Sequence, residues 1–247
     1  VYDQNGRLNE AHTDFLISND YVLKTAQAHP DELLAGVSIN PQRRDAIDEI
    51  HRCADAGAVL VKVLPNAKQF DPANPKYKPF YRALAERKLP FLSHVGYEFS
   101  LIGKDQSVGD PDRLRLALDE GATVIAAHAC SYGLIIYEKF LPTLRDLVQR
   151  YPHFYADISA LTLPNRFRML LHLRKYHEVH ERLLFGTDYP LSVFHVAAWG
   201  RVAFGTLRKM IRTKNRFDRQ VEVCNGLKLG FRSLGDLLPY SAGKTTP

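Results

Sequence analysis

LLAGVSINPQRRDAIDEIHRCADAGAVLVKVL, residues 33–64, holds two short apolar runs around a stretch with a different rhythm. LLAGVSI (33–39) and AVLVKVL (58–64) are rich in aliphatic and β-branched residues. That is the pattern of strands covered on both faces in a parallel sheet. Between them, RRDAIDEIHRCADAG (43–57) spaces Ile47, Ile50, Cys53 and Ala54 along one helical face, and Gly57 ends the helix. Strand, helix and strand in this order predict a βαβ unit.

The beat continues along the chain. PFLSHV (90–95), TVIAAHA (123–129), FYADIS (154–159) and RLLFGTD (182–188) are four more strand-like runs. The stretches 77–90, 110–122 and 140–152 read as helices, the second with Asp110 as N-cap before Pro111. A repeat of about 30 residues over five or more units favours an α/β fold of the (β/α)₈ TIM-barrel type over a doubly wound sheet. Only six strands are readable, however. Residues 1–32 predict one helix, Phe15–Ala28, and no strand. The first one or two βα units of the eight are therefore expected to be missing, and 1–247 reads as a single incomplete TIM-barrel domain.

Composition narrows the class. With 45% hydrophobic and 24% charged residues, the chain reads as a globular enzyme. No run of about 18 apolar residues predicts a membrane span, and VYDQNGRLNE at the start has no signal-peptide character. Cys53, Cys130 and Cys224 are too few and too scattered for a disulfide framework, so a reducing, cytoplasmic setting is expected. The net charge is +6, and Arg208, Lys209, Arg212, Lys214 and Arg216 cluster between Arg201 and Arg219. On a helix such charges form a solvated face. No nucleic-acid motif accompanies them, so a small, anionic substrate suits the charge better than nucleic acid. A homo-oligomer is compatible with this reading.

Catalytic groups of a barrel sit at the carboxyl ends of its strands. Here those ends carry Lys62, His94, His128, Asp157 or Ser159, and Asp188, with His94–His128 and His128–Asp188 separations of 34 and 60 residues. The second is two beats. Imidazoles and a carboxylate at one mouth are ligands for a divalent metal, zinc first, with manganese or iron as alternatives. Each residue also has a plainer reading. A lone histidine can be structural, and Asp188 in GTDYP can cap a turn. Lys62, sharing a strand face with Leu60 and Leu64, reads as buried: it can salt-bridge, bind a substrate carboxylate, or be carbamylated. Cys130 reads as a small buried hydrophobe, and His172, His177 and His180 as surface residues.

FDPANPKYKPFYRALAERKLPFLSHVG (70–96), TVIAAHAC (123–130) and above all RLLFGTDYP (182–190) resemble the amidohydrolase-related family of TIM-barrel metal-dependent hydrolases. The resemblance covers roughly residues 30 to 225, and NRFDRQVEVCNGLKLGF (215–231) looks like that family's tail. It implies that His94, on the family's fifth strand, is a metal ligand. His128, on the sixth, would be a metal ligand or the histidine that touches substrate and activated water. Asp188, on the eighth, would be ligand and general base. LLAGVSI would be the family's third strand. The family's His-x-His pair of strand one has no counterpart, since His12 stands alone.

The implied activity is attack of metal-activated water on the carbonyl carbon of an amide, lactone or ester. Non-oxidative decarboxylation of an aromatic acid on the same site is the alternative. A barrel left inactive by the absent pair is a further one. Lys62, Tyr132 and Tyr189, with Tyr97 beside them, are the candidate substrate contacts.

Overall fold

A computed structural model describes the chain except residues 4, 14, 15, 102, 104, 135, 136 and 239–247. Six strands, β1 (Ala35–Val37), β2 (Ala58–Val63), β3 (Phe91–Ser93), β4 (Val124–Ala126), β5 (Phe154–Asp157) and β6 (Leu183–Leu184), form one sheet. All five pairings are parallel, and the spatial order follows the chain, β1 to β6. Sequential parallel strands joined by helices are the wall of a (β/α) barrel. Among the described residues β1 and β6 do not pair, so the wall is an arc and not a closed ring.

The strands are shorter than the apolar runs that mark them. His94 directly follows the ladder of β3, and His128 stands two residues beyond β4. Beyond β6, Arg232 makes a parallel bridge to Leu184, donating its N–H to Leu183 O while Phe185 N–H donates to Arg232 O. No pattern in the sequence marks this single-residue extension of the sheet.

Helices α1 (Asn19–Ala28), α2 (Ala46–Asp55), α3 (Pro65–Lys68), α4 (Lys78–Glu86), α5 (Arg115–Asp119), α6 (Leu141–Arg150), α7 (Phe167–Leu173), α8 (Phe204–Arg212) and α9 (Arg216–Gly226) fill the connections and the tail. The expected start of the first helix, Phe15, lies outside the described residues; the helix begins at Asn19, with the Ser18 hydroxyl accepting from Tyr21 N–H. Asp110 caps as expected, accepting from Asp112 N–H, but Pro111–Leu114 is a 3₁₀ turn that leads into α5.

On α2 the buried face is rotated from the predicted one. Ala46, Glu49, Ile50 and Cys53 point inward, and Ile47 is exposed. The reason is polar: Glu49 accepts from Asn19 Nδ2 at 2.7 Å and from Arg52 Nε at 2.7 Å, which ties α2 to α1 and leaves Ile47 outside.

The core lies between strands and helices, where Phe80 and Tyr81 of α4 meet Phe91 of β3 edge to face. Ile50, Leu84, Leu118, Leu144, Leu147 and Phe154 are fully buried around them. Each contributes about 1.5–3 kcal/mol of hydrophobic burial. The basic cluster on α8, on the link after it and at the start of α9 is exposed, as its spacing predicts. No helix among the described residues is long and apolar enough to cross a membrane.

Candidate active site

Lys62 of β2 and Asp188, four residues past β6, show how the sheet curves. Four strand spacings in a flat sheet would part them by about 19 Å. Their side chains instead approach to 3.6 Å, Nζ to Oδ1. The arc therefore brings the carboxyl ends of its strands toward one mouth. Lys62 is not buried as expected: its side chain is 38% exposed, against 30% for Asp188.

At the centre, His94 and His128 are both buried. Past β4 the backbone enters the left-handed region for three consecutive residues, His128 (φ 56°), Ala129 (φ 46°) and Cys130 (φ 58°). Such conformations cost about 1–3 kcal/mol each outside glycine and persist where the surroundings enforce them. Here the His128 N–H donates to Asp157 Oδ1 at 2.9 Å, which holds the turn. Asp188 also has a positive φ, of 56°.

The side chains form a directed chain. Ser159 Oγ–H donates to Asp157 Oδ1 at 2.5 Å, so Oγ accepts from His128 Nδ1 at 2.8 Å. That assignment leaves His128 Nε2 as an acceptor for His94 Nδ1–H at 3.3 Å. The remaining nitrogen, His94 Nε2, is buried and has no hydrogen-bond partner. Burial, with the positive charges of Arg166 and Lys62 behind it, pushes the His94 pKa down to about 3. Burial lowers His128 well below its usual range too, so both rings are neutral at pH 7. Burial raises Asp157, while the Ser159 hydroxyl and the His128 N–H oppose it.

Arg166 is the residue the sequence did not signal. It is 5% exposed and donates from Nη1 to Ser131 O at 3.0 Å and from Nη2 to Tyr97 O at 3.1 Å. It thereby joins the loops after β3 and β4. Those loops also touch at Gly96 (φ 87°), where a Cβ would collide with Ser131 O. Glu98 is buried as well; its Oε1 accepts from Ser100 N–H and Leu101 N–H, and its Oε2 lies 3.6 Å from His94 Nε2.

Among the described residues no three His, Cys, Asp or Glu side chains come together as a ready set of metal ligands. His94, His128 and Asp188 are thus at one end of the sheet but not assembled. The two histidines bind each other, His128 spends its second nitrogen on Ser159, and Asp188 pairs with Lys62. What fits a divalent ion is the corner at His94 Nε2, an orphaned neutral imidazole nitrogen facing a carboxylate.

Tyr132 is half-buried against Tyr97 and Phe140, whereas Tyr189 is exposed beside Phe217. Cys130 is fully buried. His177 is exposed, but His180 is not a free surface residue: it donates to Leu173 O and accepts from Gly230 N–H, and His172 is half-buried. A cleft of about 730 Å³ opens beside the mouth, lined by Ser38, Asn40, Leu64 and Lys68 but not by His94 or His128.

The sequence profile of the Amidohydrolase family matches residues 2–206. The chain belongs to the amidohydrolase family. No curated protein matches it. Among solved structures, it is similar to an uncharacterised TIM-barrel protein of Bordetella bronchiseptica. The two are 18% identical over 86% of this chain and 70% of that one, with a TM-score of 0.58. A dihydroxybenzoic acid decarboxylase of Polaromonas, with bound manganese and 2-nitroresorcinol, shares 16% identity over 85% and 74%, at 0.51. A zinc-bound amidohydrolase of Burkholderia multivorans shares 11% over 85% and 78%, at 0.51. At these identities the likeness is one of fold, and the amidohydrolases it joins are TIM-barrel proteins.

Proposed function

We propose that this amidohydrolase-family chain is a metal-dependent hydrolase in which water attacks the carbonyl carbon of an amide, lactone or ester in a small anionic substrate, breaking the bond from that carbon to the leaving nitrogen or oxygen. One observation carries the reading: His94 Nε2 is buried at the mouth without a partner. An unsatisfied buried polar atom costs about 1–3 kcal/mol, and a bound ion or water is one way that cost is met. His94 and Asp188 are the side chains that would hold the metal, zinc first and manganese or iron next, with His128 as a third donor if it leaves His94. When bound, the ion polarises the carbonyl and brings the pKa of water toward about 7.

The chain's own groups divide the remaining work. Asp188 carries the carboxylate that accepts the proton of the attacking water. Lys62, 3.6 Å from it, keeps that carboxylate oriented and adds positive charge for the substrate's anionic group. His128, pinned by Ser159, fixes the orientation of His94. Tyr132 and Tyr189 border the entrance.

The second reading is non-oxidative decarboxylation of an aromatic acid, favoured by the cations Lys62 and Arg166 beside the histidines, which suit a carboxylate. Elemental analysis of the dialysed protein comes first, followed by ester, lactone and hydroxybenzoate assays. Stoichiometric zinc, manganese or iron with hydrolysis lost in His94→Ala and Asp188→Asn supports the first reading. CO₂ release from the acids selects the second. Full hydrolysis by the double variant, or a chain that takes up no metal and turns over nothing, rules out both.

A further inference from the structure

The hydrogen-bond chain that ends at His94 has a direction, and that direction leaves two lone pairs facing each other. Asp157 Oδ1 receives three donors: His128 N–H at 2.9 Å, Ser159 N–H at 3.0 Å and Ser159 Oγ–H at 2.5 Å. The Ser159 carbonyl oxygen, 3.1 Å from His128 Nδ1, can only accept, so the His128 proton is on Nδ1. With the serine proton committed there, His128 donates from Nδ1 to Ser159 Oγ and Ser159 O, and His94 donates from Nδ1 to His128 Nε2. His94 Nε2 is therefore a bare lone pair.

Opposite it, at 3.6 Å, is Glu98 Oε2. Glu98 Oε1 accepts from the N–H groups of Ser100 and Leu101, and Oε2 is the oxygen turned toward His94. Both residues are more than nine-tenths buried. Two ligands each about 2.1 Å from a tetrahedral ion lie about 3.4 Å apart, close to the spacing found.

We propose that His94 Nε2 and Glu98 Oε2 are the protein's two preset donors to a divalent cation, with Glu98 as a ligand that the spacing of strand-end residues does not mark. The inference rests on the metal-dependent reading above and adds a residue to it. Glu98 lies on the loop after β3, four residues from His94. It offers a carboxylate in a chain that shows no His-x-His pair.

The test uses the full chain, stripped with chelator and titrated with Co²⁺ followed by its d–d absorption, and with Zn²⁺ by calorimetry. Wild type, Glu98→Gln and Asp188→Asn are compared, and each metal-free protein is melted. Glutamine keeps an oxygen for Ser100 and Leu101 and places an amide N–H toward His94 Nε2. The expected result is one ion per wild-type chain and at least about tenfold weaker binding with a changed cobalt spectrum in Glu98→Gln. Metal-free Glu98→Gln should melt no lower than metal-free wild type.

Equal affinity in wild type and Glu98→Gln overturns the role of Glu98. If Asp188→Asn still weakens binding in that case, the hydrolase reading stands without it. A metal-free Glu98→Gln that melts well below wild type means that Glu98 accepts a proton from His94, which also overturns the inference. A wild-type chain that binds neither ion overturns both.

Discussion

Lys62 and Asp188 lie four strands apart along the sheet, yet their charged ends are 3.6 Å from each other. Both are about one-third exposed, so solvent screens the pair, and its contribution to stability is at most about 1 kcal/mol. Lys62→Met should therefore unfold within about 1 kcal/mol of wild type in urea. On an anionic substrate its KM should rise at least about tenfold, with a smaller change in kcat. An unchanged KM would remove Lys62 from substrate binding.

Arg166 behaves differently because it is buried. Its two hydrogen bonds fasten Ser131 O and Tyr97 O, and burial already pushes its own pKa down. Arg166→Met leaves both carbonyls without these donors and should destabilise the fold by about 2–4 kcal/mol in chemical denaturation. Arg166→Lys keeps the charge but not the fork that reaches two loops, and should recover only part of that loss. A neutral result for Arg166→Met would show that the loops hold without it.

Glu49 predicts an acid limb. The hydrogen bond from Arg52, helped by Asn19, holds its pKa down to about 2 from 4.5. A depressed carboxylate stabilises the fold fully above its unfolded value, and that stability is lost as pH falls from about 4.5 toward 2. Because Arg52 is half-exposed, the contribution is on the order of 2 kcal/mol at pH 7. Glu49→Gln should be less stable by that amount at pH 7 and converge on wild type near pH 2. Parallel curves across the range would contradict this.

The three cysteines are free and buried. Burial raises Cys53 to about 11 and Cys224 to about 12, and pushes Cys130 well above its usual value. Thiolate is the reactive form, so Ellman's reagent at pH 8 should find no fast thiol in the native protein and three after denaturation. A fast native thiol would mean that one of these sites opens.

The strands were legible because residues covered on both faces must be apolar throughout, so 58–64 and 123–129 stand out against their charged neighbours. The strand-end polar residues were legible for the complementary reason: a polar residue that closes an apolar run stands out from it. What stayed hidden depends on non-local partners. Arg166 precedes an ordinary helix, and only the fold brings it to Tyr97 and Ser131. Glu98 sits in an aperiodic loop, and its meaning comes from the tautomer of His94, which Asp157 sets from two strands away. Ile47 was misassigned because periodicity counts apolar positions and cannot foresee that Asn19 would draw the Glu49 carboxylate inward.

The backbone bridge at Arg232 bears on how copies of this chain behave together. β6 contributes only Leu183 and Leu184 to the sheet, and the Arg232 peptide occupies N–H and C=O groups that would otherwise face outward. An uncovered strand edge recruits strands from other molecules. The tail after α9 is thus a guard on the sheet's flank: a chain ended at Gly226 should keep its strands but cluster at concentrations where the longer chain stays dispersed, which light scattering would register.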